Sequence, residues 1–309
     1  MEILAKGVVK IKKSLKIKES RDDSIFLAFI YTVLTIVLVI TLFPLINVVV
    51  SSFSSSNAVI TGRVYILPVE PTLNGYSVIF ESNKLMRSFL NSVFYTVCAT
   101  TLQIALTTMM AYPLARKRLA GRGFITAILA LTMFFSGGLI PTYMVVKTLG
   151  LTNTRLAMII PGGMSVYNVI VARAFFQSSL SEELFDAAEI DGYSEFGIFI
   201  RIVLPLSTAV IAVMALIYGV GNWNAYFDAL IYLTSDDLFP LQIVLRSILI
   251  QNTNPGKIIT DVKRLMAQQE MATLLKYSLV VVSSVPVLIF YPFIQKYFIK
   301  GVMLGSLKG

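Results

Sequence analysis

Charged residues gather into short clusters along this chain, and the stretches between the clusters are almost purely apolar. Six charge-free runs stand out: residues 24–62 (apolar part 25–50), 88–115, 123–146, 156–172, 202–227 and 277–295. Crossing about 30 Å of hydrocarbon takes roughly 17–25 residues as an α-helix, and every run is long enough. A membrane barrel would instead show alternating segments of about 10 residues, and these runs are too long and too uniformly apolar for that. The pattern predicts an all-α, polytopic membrane protein with six transmembrane helices. A basic stretch precedes the first run, but the apolar core is longer than the roughly 7–15 residues of a signal-peptide h-region. A retained span is expected.

Composition supports this reading. Of 309 residues, 56% are hydrophobic and 14% are charged, against about 25% charged in a soluble domain, and mean hydropathy is +0.77. There is no histidine, which removes His-based triads and His metal sites. A single cysteine, Cys98, leaves neither an intramolecular disulfide nor a cysteine metal cluster, and it fits best as packing. No catalytic group and no metal site is expected.

Orientation follows the basic residues. Lys6, Lys10, Lys12, Lys13, Lys16, Lys18 and Arg21 precede the first span, and Arg116, Lys117, Arg118 and Arg122 follow the second. With six spans and an inside start, both termini are cytoplasmic. The expected order is a basic tail at 1–24, a first helix at 25–50, an outer loop at 51–87, a five-helix core at 88–295 and a C-terminal tail at 296–309. The net charge of +9 is then orientation and lipid-headgroup charge, and nucleic-acid binding is unnecessary. The basic tail suits leaflet anchoring or a regulatory contact. Pro44, Pro113, Gly137-Gly138 with Pro141, Pro161-Gly162-Gly163, and Pro286 with Pro292 interrupt the spans. They either kink a bundle or shape a path through it.

One inner segment, 173–205, departs from the pattern. It carries Glu182, Glu183, Asp186, Glu189, Asp191 and Glu195 against only Arg173 and Arg201. Ser179 and Glu182 stand at capping-box spacing. Leu180, Leu184, Ala187 and Ala188 form a narrow apolar stripe. Gly192 supplies a stop, and Ser194 can cap a second helix leading to Pro205. A helix lying on anionic lipid would be rich in Lys and Arg, and this one is acidic. The pattern fits either docking into a groove on a protein partner or a solvated connector.

Asp186-Ala187-Ala188, then Asp191-Gly192, then Ile202, Leu204 and Pro205 resemble the EAA loop of ATP-binding-cassette (ABC) importer permeases, with Asp186 where the family usually has Glu. The stretches Phe135-Ser136-Gly137-Gly138-Leu139-Ile140-Pro141-Thr142-Tyr143, Gly221-Asn222-Trp223-Asn224-Ala225-Tyr226-Phe227 and Gly301-Val302-Met303-Leu304-Gly305-Ser306-Leu307-Lys308-Gly309 are similar to the type I permeases of oligosaccharide and polysaccharide uptake in Gram-positive bacteria. The resemblance spans residues 25 to the end. It implies a second permease subunit, two ATP-binding subunits inside, an extracellular lipid-anchored solute-binding protein, and a coupling helix between the fourth and fifth spans. Leu184, Asp186, Ala187, Ala188, Asp191 and Gly192 would couple to the ATPase.

The chain has no Walker A pattern, since Lys13-Ser14 and Lys147-Thr148 lack the spaced glycines. No cofactor is expected on it, and ATP and Mg belong to the partner ATPase. None of the six runs holds an ionisable carboxylate or amine, whereas ion-coupled carriers place such groups within the membrane. An ion-coupled secondary transporter of a small polar solute is therefore the weaker alternative. A membrane-embedded enzyme is weaker still. A carbohydrate needs hydroxyl, amide and aromatic partners, and Tyr218, Asn222, Trp223, Asn224 and Tyr226 are candidates for the substrate path. The same positions suit an interfacial aromatic belt. The outer loops 51–87 and 228–276 are natural docking surfaces for a binding protein.

Overall fold

The computed structural model describes residues 21–251 and 262–306; the basic tail 1–20, the stretch 252–261 and the closing residues 307–309 lie outside the described residues. Every regular element among the described residues is helical, which lets each segment satisfy its own backbone groups in a medium without water. Contacts group the chain into two units, 1–47 and 48–309.

The first unit holds the N-terminal part of α1 (Arg21–Ser52). Its side chains are apolar round the whole circumference and largely exposed, Ile25, Phe29, Ile40 and Leu45 each by more than 60%. Such a surface suits lipid rather than water. The hydroxyls that would be stranded there are spent locally. Thr32, Thr35 and Thr41 donate to the carbonyls of Ala28, Tyr31 and Val37 at 2.8, 2.7 and 2.9 Å.

In the second unit the segment 51–87 is ordered, with α2 (Ser56–Ile60) and α3 (Asn74–Glu81). Ser55 caps α2 by accepting from the Ala58 N–H at 3.2 Å, and donates to Glu70 Oε2 at 2.6 Å. Arg63 reaches the other Glu70 oxygen at 3.2 Å. The Ser55 hydrogen bond and then Arg63 hold the Glu70 carboxyl below its ordinary range.

Next come α4 (Asn83–Ala115), α5 (Arg122–Phe134), α6 (Leu139–Thr148) and α7 (Val166–Ser179). The third run is two helices meeting at 111°. The break falls at Gly138, whose φ of 83° and ψ of 178° suit only glycine. The fourth run is corrected more strongly. Residues 156–172 are not one helix: a 3₁₀ turn at Arg155–Met158 and a non-helical stretch through Pro161-Gly162-Gly163 precede α7. Proline and adjacent glycines break the helix despite their apolar setting.

Four short elements follow: α8 (Glu182–Ile190), α9 (Glu195–Ile198), a π-helical turn at Phe199–Val203, and α10 (Leu204–Leu206). Then come α11 (Thr208–Trp223), α12 (Phe227–Tyr232), α13 (Leu241–Gln251) and α14 (Val262–Ser306). The chain turns by 79° between residues 195–206 and α11, just after Pro205, which cannot donate to the helical ladder. Among the described residues three helices are individually long and apolar enough to cross a membrane, and five if each bent pair counts as one span.

Two apolar clusters organise the unit. One joins α4, α7, α8 and α11 through Leu114, Ala172, Phe176, Phe185, Ala188, Val203 and Met214. The other joins α3, α4, α11, α13 and α14 through Ile79, Leu85, Trp223, Leu241 and Leu279.

Candidate functional site

The acidic segment folds as two helices hinged at Gly192. Ser179 closes α7, and Ser181 occupies the extended position before α8, so the expected cap at Ser179 lies two residues too early. Glu182 and Glu183 fall in the first turn, where carboxylates favour the helix dipole. At the other end the Gly192 N–H bonds the Glu189 carbonyl and the Tyr193 N–H bonds the Ala188 carbonyl, both at 3.0 Å. With φ of +82° at Gly192, this is a Schellman stop. Ser194 Oγ accepts from the Gly197 N–H at 3.2 Å and starts α9, as its sequence position predicts.

The apolar stripe expected on α8 is divided by the fold. Ala188 is buried at 4% exposure and Leu180 at 6%, together with Phe185, and Leu184 packs half-buried against the same cluster. Asp186, Ala187, Ile190, Asp191 and Gly192 are exposed. The helix thus spends Phe185 and Ala188 on its own chain and presents Ala187 and Ile190, the latter 86% exposed, outward. Phe196, on α9, is also exposed.

The carboxylates are likewise held from within the chain. Arg116, the residue that ends α4, is buried, and its guanidinium lies 2.9 Å from Glu189, 3.4 Å from Glu182 and 3.7 Å from Glu195. It also stacks 4.0 Å from the centre of the Phe185 ring. Tyr112 donates to Glu195 at 2.5 Å. Arg118 bonds Glu189 and also Asp186, the latter at 3.0 Å. The Arg118 hydrogen bond comes first among the causes that keep the Glu189 carboxyl below its usual range. Charge counting assigned Arg116 and Arg118 to membrane orientation. Their hydrogen-bonded partners lie 66 to 73 positions along the chain, a distance that no local pattern spans. Phe185 was missed for a simpler reason, since it sits one place off the stripe as it was drawn.

The path candidates sit apart from this loop, on and after α11. Tyr218 is buried; its hydroxyl shares a 2.7 Å hydrogen bond with Thr107 and accepts from the Ser165 N–H at 2.9 Å. Asn222 donates to Thr100 Oγ1 at 3.0 Å and to Gln103 Oε1 at 2.8 Å. Trp223 is 5% exposed and gives its indole N–H to the Ser283 carbonyl at 2.8 Å. Asn224 is exposed and bonds back to the Val220 carbonyl at 2.9 Å, while Tyr226 is exposed beneath the Arg246 guanidinium. A cleft of about 360 Å³ opens between α4, α11 and α14, lined by Thr96, Thr100, Gly219, Trp223 and Phe290 among others. No cluster of His, Cys, Asp or Glu that could hold a metal occurs among the described residues.

Apolar helices carrying a charged two-helix loop define the class as a polytopic membrane protein. The relatives specify it further. The chain is 38% identical over 287 residues to the polygalacturonan/rhamnogalacturonan transport system permease protein YtcP of Bacillus subtilis (strain 168), covering 93% of this chain and 99% of that one. It is 39% identical to protein LplC of the same organism, covering 87% and 90%. It is 31% identical to the arabinooligosaccharide permease AraQ of Halalkalibacterium halodurans, covering 94% and 99%. The crystal structure of a bacterial ABC transporter that imports the acidic polysaccharide alginate matches at a TM-score of 0.82 and 30% identity, over 91% of this chain and 99% of that one. No protein-family model matches the chain. The chain belongs to the permease family of carbohydrate ABC importers.

Proposed function

We propose that this chain forms half of the path by which an ABC importer moves an oligosaccharide through the membrane, with a second permease subunit supplying the other half. In this reading the chain crosses the membrane six times, the fourth crossing being the broken stretch that ends in α7, and both termini and the α8–α9 loop are cytoplasmic. There the loop meets one of two ATP-binding subunits, which carry ATP and Mg. An extracellular lipid-anchored solute-binding protein delivers the carbohydrate to the outer loops.

The observation that carries this reading is the two-sided construction of α8. One side is anchored in the chain by Phe185, Ala188 and the Arg116 ion pairs. The other offers Asp186, Ala187, Ile190, Asp191 and Gly192 to a partner. A purely solvated connector would gain nothing by leaving Ile190 86% exposed on the face opposite its anchor. In this reading Leu184 braces the outward face, and Tyr218, Asn222, Trp223, Asn224 and Tyr226 line or support the path. The oligosaccharide class rests on the relatives named for polygalacturonan, rhamnogalacturonan and arabinooligosaccharide transport.

Affinity purification of the chain from membranes tests the assembly. An ATP-binding subunit and a second permease should co-purify, and Ala187→Asp should release the ATPase while leaving the permease pair intact. Retention of the ATPase at the wild-type ratio by that variant would remove α8 from the docking surface.

A further inference from the structure

We infer that Arg116 is the positioning residue that makes the α8–α9 loop and the end of α4 move as one body. The inference rests on the coupling reading above and adds to it the point where force enters the membrane bundle.

Arg116 ends a 33-residue helix that packs along α7 and α11. Its guanidinium meets carboxylates from both helices of the loop, Glu182 and Glu189 on α8 and Glu195 on α9, and covers the Phe185 ring. One turn earlier Tyr112 holds the same Glu195. The last turn of α4 therefore grips α8 and α9 together. A push on the outward face of α8 would otherwise be absorbed at the Gly192 hinge.

Burial separates this contact from the other ion pairs of the loop. The Arg116 side chain is 5% exposed, whereas those of Arg118 and Asp186 are both more than half exposed. An exposed pair is screened and contributes about 1 kcal/mol or less. A buried guanidinium that loses one of its carboxylates is compensated less completely, which is more costly than the same loss at an exposed pair. The planar fork matters as well, because it serves several oxygens at once while sitting over an aromatic ring, a geometry that an ammonium matches less well.

The test uses vesicles holding the assembled importer, with uptake and ATP hydrolysis measured together. Arg116→Gln and Glu189→Gln should retain the ATPase and its hydrolysis, while carbohydrate moved per ATP falls by about tenfold, the size of a typical coupling between sites. Arg118→Gln should change that ratio by less than about twofold. Arg116→Lys should restore part of the loss. Uptake and hydrolysis that fall in proportion in Glu189→Gln, or a ratio unchanged in it, would overturn the inference, and this variant decides even where Arg116→Gln fails to reach the membrane. A wild-type chain that retains no ATPase would overturn the coupling reading itself, and the inference with it.

Discussion

At Gly192 the backbone adopts a φ of +82° with open space around the position of a Cβ, so backbone strain alone decides what a substitution does. A side chain there costs about 1–2 kcal/mol, enough to loosen the hinge while leaving the transmembrane helices in place. Gly192→Ala should therefore preserve membrane insertion and reduce uptake several-fold, read as initial uptake rate at matched expression. Ala187 and Ala188 are adjacent in sequence and opposite in consequence. Ala188→Asp places a charge in the apolar cluster around Phe185 and should lower the amount of folded protein, whereas Ala187→Asp should leave it unchanged; thermal stability in detergent separates the two. Glu189 supplies a pH expectation. Its carboxyl is depressed by Arg118 and Arg116, so the contribution is fully present above the ordinary carboxylate range near about pH 4.3. It is lost as pH falls through the lower folded value. The protection factors of the α8 amides, corrected for the intrinsic pH dependence of exchange, should hold from neutral pH down to that range and fall below it, and a fall already near neutral pH would contradict the assignment.

Among the elements, α3 against α14 shows how the segment 51–87 is held to the bundle. A Cβ on Gly75 would land on Ser278 Oγ and within 3.1 Å of the Leu274 carbonyl, so the helices approach because that side chain is missing. Gly75→Val should destabilise this contact by about 1–3 kcal/mol through overpacking, seen as a lowered melting temperature. How far the elements could be read from sequence depended on the range of the force that shapes them. The Gly192 stop and the Ser194 cap are local backbone chemistry, and both stand where the sequence puts them. The breaks at Gly138 and at Pro161-Gly162-Gly163 are local too, and both fall where the sequence shows glycine and proline interruptions; hydropathy, which averages across them, gave only the run and not how completely the helix is broken. The grip of Arg116 on Glu182 and Glu189 arises only when α4 and α8 pack together. Its one trace in the sequence was a matched pair of charge clusters, basic after the second run and acidic within 173–205.

For the whole molecule, the distribution of charge is the feature that bears most on mechanism. Six of the 17 carboxylates lie in the acidic loop, and the charge-free runs hold none. A protein that relays protons or sodium usually places ionisable groups at membrane depth, which supports the proposal that the energy arrives mechanically through the loop. That claim is tested most directly by carbohydrate uptake into vesicles holding the assembled importer, driven either by ATP or by an imposed ion gradient. ATP should drive accumulation that an ionophore does not abolish, and the ion gradient alone should drive none. Accumulation under the gradient without ATP, collapsed by the ionophore, would contradict the account.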